Sequence, residues 1–303
     1  MSALVIALVL GASSCQPAAA DVGAAGGDAC ARAWMDRSLR MNDIAVVGTH
    51  NSYKLAIPEA ELAALTAVDP GAAGLDYAHR PLVEQLEAGA RQLEIDVLND
   101  PQGGRYARPA SALGGARSGV PTSQAFQDAM ARPGMKVLHM PDVDFRSSCL
   151  TFVTCLIQIR DWSTAHPDHA PILIMLNAKT GAASMPGGVT PLNFDAAAWD
   201  TLDAEIRSVF DASRLITPDQ VRGDHATLRE GVLAGGWPTM GEARGRVFFA
   251  LDEGPEKAGG YAAGRPSLQG RVLFVNADEA SPAAAYLTLN DPVGQQDRIR
   301  AAV

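Results

Sequence analysis

The amino-acid sequence predicts an α/β fold of the (β/α) TIM-barrel type. Apolar runs of strand length alternate with helical patterns along most of the 303 residues, as expected of repeated βα units. Several of these runs are apolar at every position, which is typical of parallel strands covered by helices. A doubly wound open sheet is the alternative architecture, because it is built from the same βα units.

Six segments have strand-like composition, and three helical patterns lie between them. The predicted strands are residues 44–47, 93–98, 135–140, 171–176, 246–251 and 271–276, and the predicted helices are residues 80–92, 122–131 and 151–166. The Gly-, Pro- and Ala-rich residues 181–199 are predicted to form a long loop over one end of the barrel, not a domain boundary.

The composition limits the functional classes. Apolar residues make up 47% of the chain, which is enough for a large core in one α/β domain or two smaller ones. The chain has 34 acidic and 25 basic residues, a net charge of -9 and no basic run. This balance argues against a nucleic-acid partner and fits a soluble or cation-binding protein.

The N-terminus has the pattern of an export signal. Residues 4–10 are apolar, too few to span a bilayer, and are followed by small residues. Cleavage after Ala20 would release a secreted or periplasmic protein, whereas cleavage before Cys15 would give a lipid-anchored one. We therefore expect residues 1–20 to be a signal peptide or a lipoprotein signal, and no transmembrane span in the mature chain.

Two cysteines fit an oxidising compartment. Cys149 and Cys155 can close a short loop between a strand and a helix, so we predict a disulfide between them. Two buried thiols are the alternative.

Polar side chains follow four successive predicted strands at their carboxyl ends, where the chemistry of such a barrel collects. His50 and Asn51 follow the first strand. Glu94 and Asp96 lie two apart on the second, so their side chains project from the same face. The third and fourth ends add His139, Asp142, Asp144, Asn177 and Lys179.

This set of residues suits metal-assisted displacement at phosphorus. Two carboxylates inside a barrel are costly unless they bind a cation or share protons. Carboxylate and amide oxygens favour Ca²⁺ or Mg²⁺ over zinc. Two histidines can divide the proton transfer and the stabilisation of phosphoryl oxygens, and a lysine can attract a phosphate.

Other polar and aromatic residues are predicted to be structural. We expect Asp142 and Asp144 to hold a loop by local hydrogen bonds and an ion pair with Arg146, with a second functional carboxylate pair as the alternative. His79, His166 and His169 are predicted to be surface or capping residues, and Phe152 and Trp162 to belong to the core.

Three stretches resemble the bacterial calcium-dependent phosphoinositide-specific phospholipase C family. They are VGTHNSY, LDYAHRPLVEQLEAGARQLEIDVLND and GMKVLHMPDVDFRSSCLTFVTCLIQIRDWSTAHPDHAPILIML. The resemblance runs from about residue 33 to residue 292, and implies one barrel domain over residues 33–303. It also implies a distorted TIM barrel, a catalytic Ca²⁺, and cleavage of phosphatidylinositol at a membrane surface to diacylglycerol and inositol phosphate, normally through a cyclic phosphodiester.

The resemblance also implies roles for individual residues. His50 and His139 match the family's catalytic pair, and Asn51, Glu94 and Asp96 match its calcium ligands. Asn177 stands where the family commonly has a metal-binding glutamate, so we expect it to be a fourth calcium ligand, in a site with one negative charge fewer. Lys179 is expected to bind the substrate phosphate.

A second departure concerns the end of the chain. The family usually continues through two more strands after the segment that ends here at Val303. We therefore expect a barrel that is incomplete at its C-terminus, with open sheet edges. The sequence leaves the oligomeric state open.

Two other functions fit part of the pattern. A glycerophosphodiester phosphodiesterase shares the barrel, the carboxylates and two histidines, but usually has His-Arg-Gly where this chain has His50-Asn51-Ser52. A non-catalytic secreted binding protein would keep the pocket and lose turnover, which Asn177 would permit.

Overall fold

The computed structural model describes residues 27–110, 122–182 and 187–302, and a parallel sheet lies at the centre of this part of the chain. The predictions for residues 1–20, including Cys15, fall outside the described residues. The strands are β1 (Gly48–Thr49), β2 (Gln92–Val97), β3 (Ile172–Ala178), β4 (Leu215–Ile216), β5 (Val247–Leu251) and β6 (Leu273–Val275).

The sheet has the order β1-β2-β3-β5-β4, with β6 also paired to β5, and every strand pair is parallel. The β2–β3 pair forms its centre and runs from Gln92 opposite Leu173 to Val97 opposite Ala178. Within the described ranges the sheet is not closed, since β1 and β6 are not paired. The α/β prediction is confirmed, in the form of a distorted, open TIM-type sheet.

Helices cover the sheet and connect its strands. They are α1 (Gly27–Ser38), α2 (Glu59–Val68), α3 (Leu82–Glu87), α4 (Gln124–Ala131), α5 (Phe152–Ala165), α6 (Ala196–Val209), α7 (Pro218–Arg222), α8 (Leu228–Leu233), α9 (Met240–Ala243), α10 (Pro255–Tyr261) and α11 (Gln296–Ala302). Thr151 and Asp195 cap α5 and α6 by accepting hydrogen bonds from Thr154 N and Ala198 N. No described helix is both long enough and apolar enough to cross a bilayer.

The core confirms two predictions made from composition. Phe152 and Trp162 are buried on the sheet-facing side of α5, where each large aromatic side chain stabilises the fold by roughly 1.5–3 kcal/mol. Cys149 and Cys155 form the predicted disulfide, with Cα atoms 5.1 Å apart. The bond closes the turn that leads into α5.

The predicted strand at residues 135–140 is wrong. β2 pairs directly with β3, so no position in the sheet is left for this segment. It instead forms isolated antiparallel bridges from Lys136 to Leu98 and to Thr151. Val137 packs in the main core and Leu138 in a second apolar cluster, which holds the segment across the carboxyl end of β2. The apolar run therefore indicates burial in the core, although the segment is not a strand of the sheet.

Other boundaries differ in smaller ways. Residues 44–47 do not pair in the sheet, and Val46 and Val47 remain exposed beside β1. The short β4 was not predicted, and the long loop predicted for 181–199 gives way to α6 at Ala196. His169 is buried, contrary to prediction: it is 2.7 Å from Ser163 Oγ, and burial lowers the pKa of its imidazole.

Candidate active site and metal centre

The first part of the site is the turn after β1. Gly48 packs against Gln92 so closely that an added Cβ would lie 2.8 Å from the Gln92 Cβ atom, which favours glycine there. Asn51 adopts a left-handed backbone conformation, with φ 50°, that asparagine tolerates better than most residues. Its backbone N–H donates a hydrogen bond to Glu94 Oε2 at 2.5 Å. The turn therefore folds back over β2 and buries the Asn51 side chain.

Three oxygen atoms converge beneath this turn. The Asn51 side-chain oxygen lies 3.2 Å from Glu94 Oε2 and 3.2 Å from Asp96 Oδ2, and the Tyr53 hydroxyl lies 3.3 Å from the same Asn51 oxygen. All three side chains are almost completely buried. Rotating the amide by 180° would let it donate to both carboxylates instead. In the first orientation three oxygens face one another, as a bound cation would require, and in the second the amide itself bridges the two carboxylates.

The electrostatics of this set fit a hard divalent cation. Burial, and then the neighbouring charge of Glu94, raise the pKa of Asp96 well above its usual value, so the site needs a positive charge to hold both carboxylates ionised. Buried carboxylate and amide oxygens are the donors that Ca²⁺ prefers. The described residues contain no group of three His, Cys, Asp or Glu that could hold a metal, and this cluster offers two carboxylates and one amide. The residues present fit calcium.

Asn177 and Lys179 approach the same carboxylates from β3. Asn177 lies opposite Asp96 in the sheet, and its side-chain amide N–H donates a hydrogen bond to Glu94 Oε1 at 2.8 Å. It faces the cluster as a hydrogen-bond donor, whereas a metal ligand would present its oxygen. Lys179 Nζ lies 3.3 Å from Asp96 Oδ2 and its side chain is 32% exposed. A partly exposed ammonium here can also reach an anionic ligand.

The second part of the site carries His139. The imidazole Nδ1 lies 2.9 Å from Asp144 Oδ2, and Asp144 is fully buried. Since Nδ1 is engaged, Nε2 is the ring nitrogen available to a ligand. Asp144 thus orients His139, which is more than the purely structural role predicted.

Asp142 has a different function from Asp144. It has a left-handed backbone, with φ 74°, and accepts hydrogen bonds from the backbone N–H groups of Ala110 and Val189 at 2.8 and 2.5 Å. Asp142 therefore holds the loop, as predicted. The predicted partner was wrong, because Arg146 pairs with Glu61 at 2.7 Å.

His50 lies at the exposed end of the turn. No hydrogen bond from a described residue reaches its ring, whereas its backbone carbonyl is 2.8 Å from His79 Nε2. His79 therefore supports the turn that carries His50 and Asn51, which fits the capping role predicted for it. An exposed imidazole with both nitrogens accessible can meet a substrate directly.

Three supporting residues were not predicted. Tyr53 OH donates to Asp96 Oδ2 at 2.8 Å, and Tyr77 OH lies 2.6 Å from the Asn51 amide nitrogen. Burial raises the pKa of both phenols, so both stay protonated at neutral pH. Lys54 is fully buried, with Nζ 3.4 Å from Asp144 Oδ2. Tyr53 and Lys54 lie in HNSYK directly after His50 and Asn51, which was the only sequence signal for them, and Tyr77 had none.

Comparison with known proteins found one family model and several solved structures that are similar to this chain. The family model described as Ca²⁺-dependent phosphoinositide phospholipase C matches residues 39–303. A calcium-dependent phosphoinositol-specific phospholipase C from a Gram-negative Pseudomonas species is similar in structure: its apo form has 21% identity and a TM-score of 0.50, over 80% of this chain and 67% of that one. Its myo-inositol complex has 21% identity and a TM-score of 0.51, over 83% and 71%. A search of curated proteins found no match.

Proposed function

The chain belongs to the Ca²⁺-dependent phosphoinositide phospholipase C family, and on this basis we propose that it cleaves phosphatidylinositol-type phospholipids to diacylglycerol and an inositol cyclic phosphate. The observation that supports this reaction best is the convergence of Asn51, Glu94 and Asp96 beside the His139–Asp144 pair. Hard oxygen donors and an oriented imidazole are the two components that phosphodiester cleavage needs.

Asn51, Glu94 and Asp96 would hold the calcium ion. A bound ion supplies positive charge that stabilises the phosphoryl oxygens as negative charge develops on them. Tyr53 and Lys179 keep Asp96 in place through its Oδ2 atom. The short contact from the Asn51 backbone N–H does the same for Glu94. These contacts fix the carboxylates before any ligand arrives.

The histidines carry out the proton transfers. An inositol hydroxyl oxygen attacks phosphorus and the bond from phosphorus to the glycerol oxygen breaks. One proton must leave the hydroxyl, and one must reach the departing oxygen. His139 and His50 divide these transfers, with His139 working through Nε2 because Asp144 holds Nδ1. Lys179 faces the charge of the phosphate.

We also propose that the chain is exported, with residues 1–20 as its signal and residues 33–303 as the catalytic domain. The apolar run at residues 4–10 and the small residues after it support export. Mass spectrometry of the mature protein tests this directly: processing after Ala20, or a lipid-modified Cys15, supports it. An intact N-terminus on protein from the native host contradicts it.

The experiment that tests the reaction is hydrolysis of phosphatidylinositol vesicles with calcium and with chelator. His50→Ala and His139→Ala should each lower turnover by roughly 10²- to 10⁴-fold. His225→Ala is the matched control, because His225 is exposed on the loop after α7 and is not part of the site. Calcium-dependent turnover lost in both variants supports the proposal. A folded wild type that is inactive on this lipid but cleaves glycerophosphoinositol would favour the glycerophosphodiesterase alternative.

A further inference from the structure

Lys54 is a buried cation that contacts both parts of the site. We propose that it is a positioning residue, holding His139 through Asp144 and holding Asn51 through Tyr77. The proposal rests on the proposed function only for its effect on turnover. Its effects on calcium affinity and on the His139 ring are physical consequences that hold whatever the substrate.

The surroundings of Lys54 account for its charge. Its side chain is fully buried, and a buried ammonium costs several kcal/mol unless it is paired and hydrogen-bonded. Nζ lies 3.4 Å from Asp144 Oδ2 and donates to the carbonyls of Leu75 and Tyr77 at 2.9 and 2.6 Å. It also lies 4.4 Å from the centre of the Tyr77 ring. Two of these partners contact a residue of the candidate site: Asp144 contacts His139, and Tyr77 contacts Asn51.

One branch of the network leads to His139. Asp144 uses the same oxygen, Oδ2, for both His139 and Lys54. Its other oxygen, Oδ1, is buried and has no hydrogen-bond partner among the described residues. The orientation of the carboxylate therefore depends on these two contacts alone. Without Lys54, the buried Asp144 carboxylate would keep only its contact with His139. Nothing else would then fix the orientation of the carboxylate that orients the imidazole.

The other branch leads to Asn51. After α2 the chain makes an excursion at residues 69–76 that is mostly exposed, and it returns at Tyr77. Lys54 holds the returning strand of this excursion by its two carbonyls. Tyr77 OH then accepts a hydrogen bond from the Asn51 amide nitrogen at 2.6 Å, and it would donate to the amide oxygen if the amide were rotated, so it holds the Asn51 side chain in either orientation. Loss of Lys54 would free Tyr77, and the Asn51 side chain would then lose the contact that holds it beside the carboxylates.

Lys54→Met removes the charge and keeps most of the side-chain volume. We expect calcium affinity, measured by titration calorimetry, to fall roughly 10- to 100-fold. We also expect the ¹⁵N chemical shifts of the His139 ring to change, because the ring should pass from the Nδ1–H tautomer alone to a mixture of tautomers. Asp144→Asn should alter the His139 shifts and leave calcium affinity within about twofold. Tyr77→Phe should do the reverse, because it breaks only the Asn51 branch.

Arg271→Met is the matched control. Arg271 is also buried and is paired with Asp200 and Asp203 while donating to the Tyr261 carbonyl, on the outer side of the sheet. The Arg271→Met variant should be less stable than the wild type, and its calcium affinity and His139 shifts should be unchanged. The proposal is overturned if folded Lys54→Met keeps the wild-type calcium affinity and the wild-type His139 shifts. It is also overturned if both quantities change no more than they do in Arg271→Met.

Two further outcomes stay informative. Lys54→Gln, which can still donate to the carbonyls, replaces Lys54→Met if the latter does not fold, and should retain the Asn51 branch better than the His139 branch. A wild type that cleaves no phosphatidylinositol would contradict the proposed function, while the calorimetry and the His139 spectra would still decide the role of Lys54. Wild-type His139 shifts in every Lys54 variant would reject it.

Discussion

Replacing Asn177 with glutamate should tighten calcium binding and weaken the calcium-free protein. Asn177 now donates a hydrogen bond to Glu94 Oε1 at 2.8 Å and lies opposite Asp96 in the sheet. A glutamate at this position would bring a third carboxylate to the cluster. The hydrogen bond to Glu94 would be lost, and a repulsive contact would replace it.

The structure sets the size of this effect. A hydrogen bond to a charged acceptor contributes about 1.5–3 kcal/mol. Two like charges about 4 Å apart repel by at most about 4 kcal/mol near a protein surface, and rotation of the new side chain relieves part of this. We expect a net loss of roughly 2–4 kcal/mol without calcium, which lowers Tm by roughly 3–6 °C for a protein of this size. If calcium relieves about 1.4 kcal/mol of that cost, its affinity rises about tenfold.

Thermal melts in chelator and in excess calcium, together with titration calorimetry, measure both effects. Asn177→Gln is the control, because glutamine has the length of glutamate without its charge. The Tm of Asn177→Glu should be lower than that of Asn177→Gln in chelator, and the difference should shrink or reverse in calcium. An equal loss of Tm in both conditions, or weaker calcium binding than in Asn177→Gln, would refute the assignment of the cation to this cluster.

Three other changes have defined outcomes. Lys179→Met removes a cation 3.3 Å from Asp96, so calcium affinity should rise while KM for vesicle substrate increases; a fall in calcium affinity would contradict this. The Cys149–Cys155 bond closes a short loop, so the Cys149→Ser/Cys155→Ser double variant should lose roughly 2 kcal/mol in urea unfolding, and no loss would contradict this. Burial raises the pKa of Glu205 to about 7, so the folded state binds its proton more tightly than the unfolded state does. Stability should therefore fall by up to about 3 kcal/mol as pH rises from about 4.5 through 7, and Glu205→Gln should flatten that slope.

The proposed metal ligands could be predicted from the sequence because their spacing is local. Glu94 and Asp96 share a face through the period of two in β2, and Asn51 follows the strand that pairs beside them. Lys54 and Tyr77 could not be found in this way. They meet through a long excursion of the chain, and a lysine between apolar residues has the pattern of a surface position. Only the folded structure shows that the Lys54 ammonium is enclosed.

The segment at residues 135–140 shows a different limit. Its apolar run correctly indicated burial, and the prediction correctly placed His139 at the carboxyl end of the sheet. An apolar run does not specify its pairing partner, however, and β3 occupies the edge of β2 that a third strand would need. The packing of Leu138 and the contact with Asp144 position His139. Its predicted location is therefore correct even though the segment is not a strand.

The charges of the site suggest why an amide can replace a glutamate at position 177. Glu94, Asp96 and Asp144 are buried, and two lysines, Lys54 and Lys179, are paired with the two aspartates. When all are ionised, one negative charge remains. A divalent cation would convert it to one positive charge, which matches the single negative charge of a phosphodiester. A glutamate at 177 would leave the calcium-bound site neutral, so the variant that binds calcium more tightly should bind the phosphodiester less well.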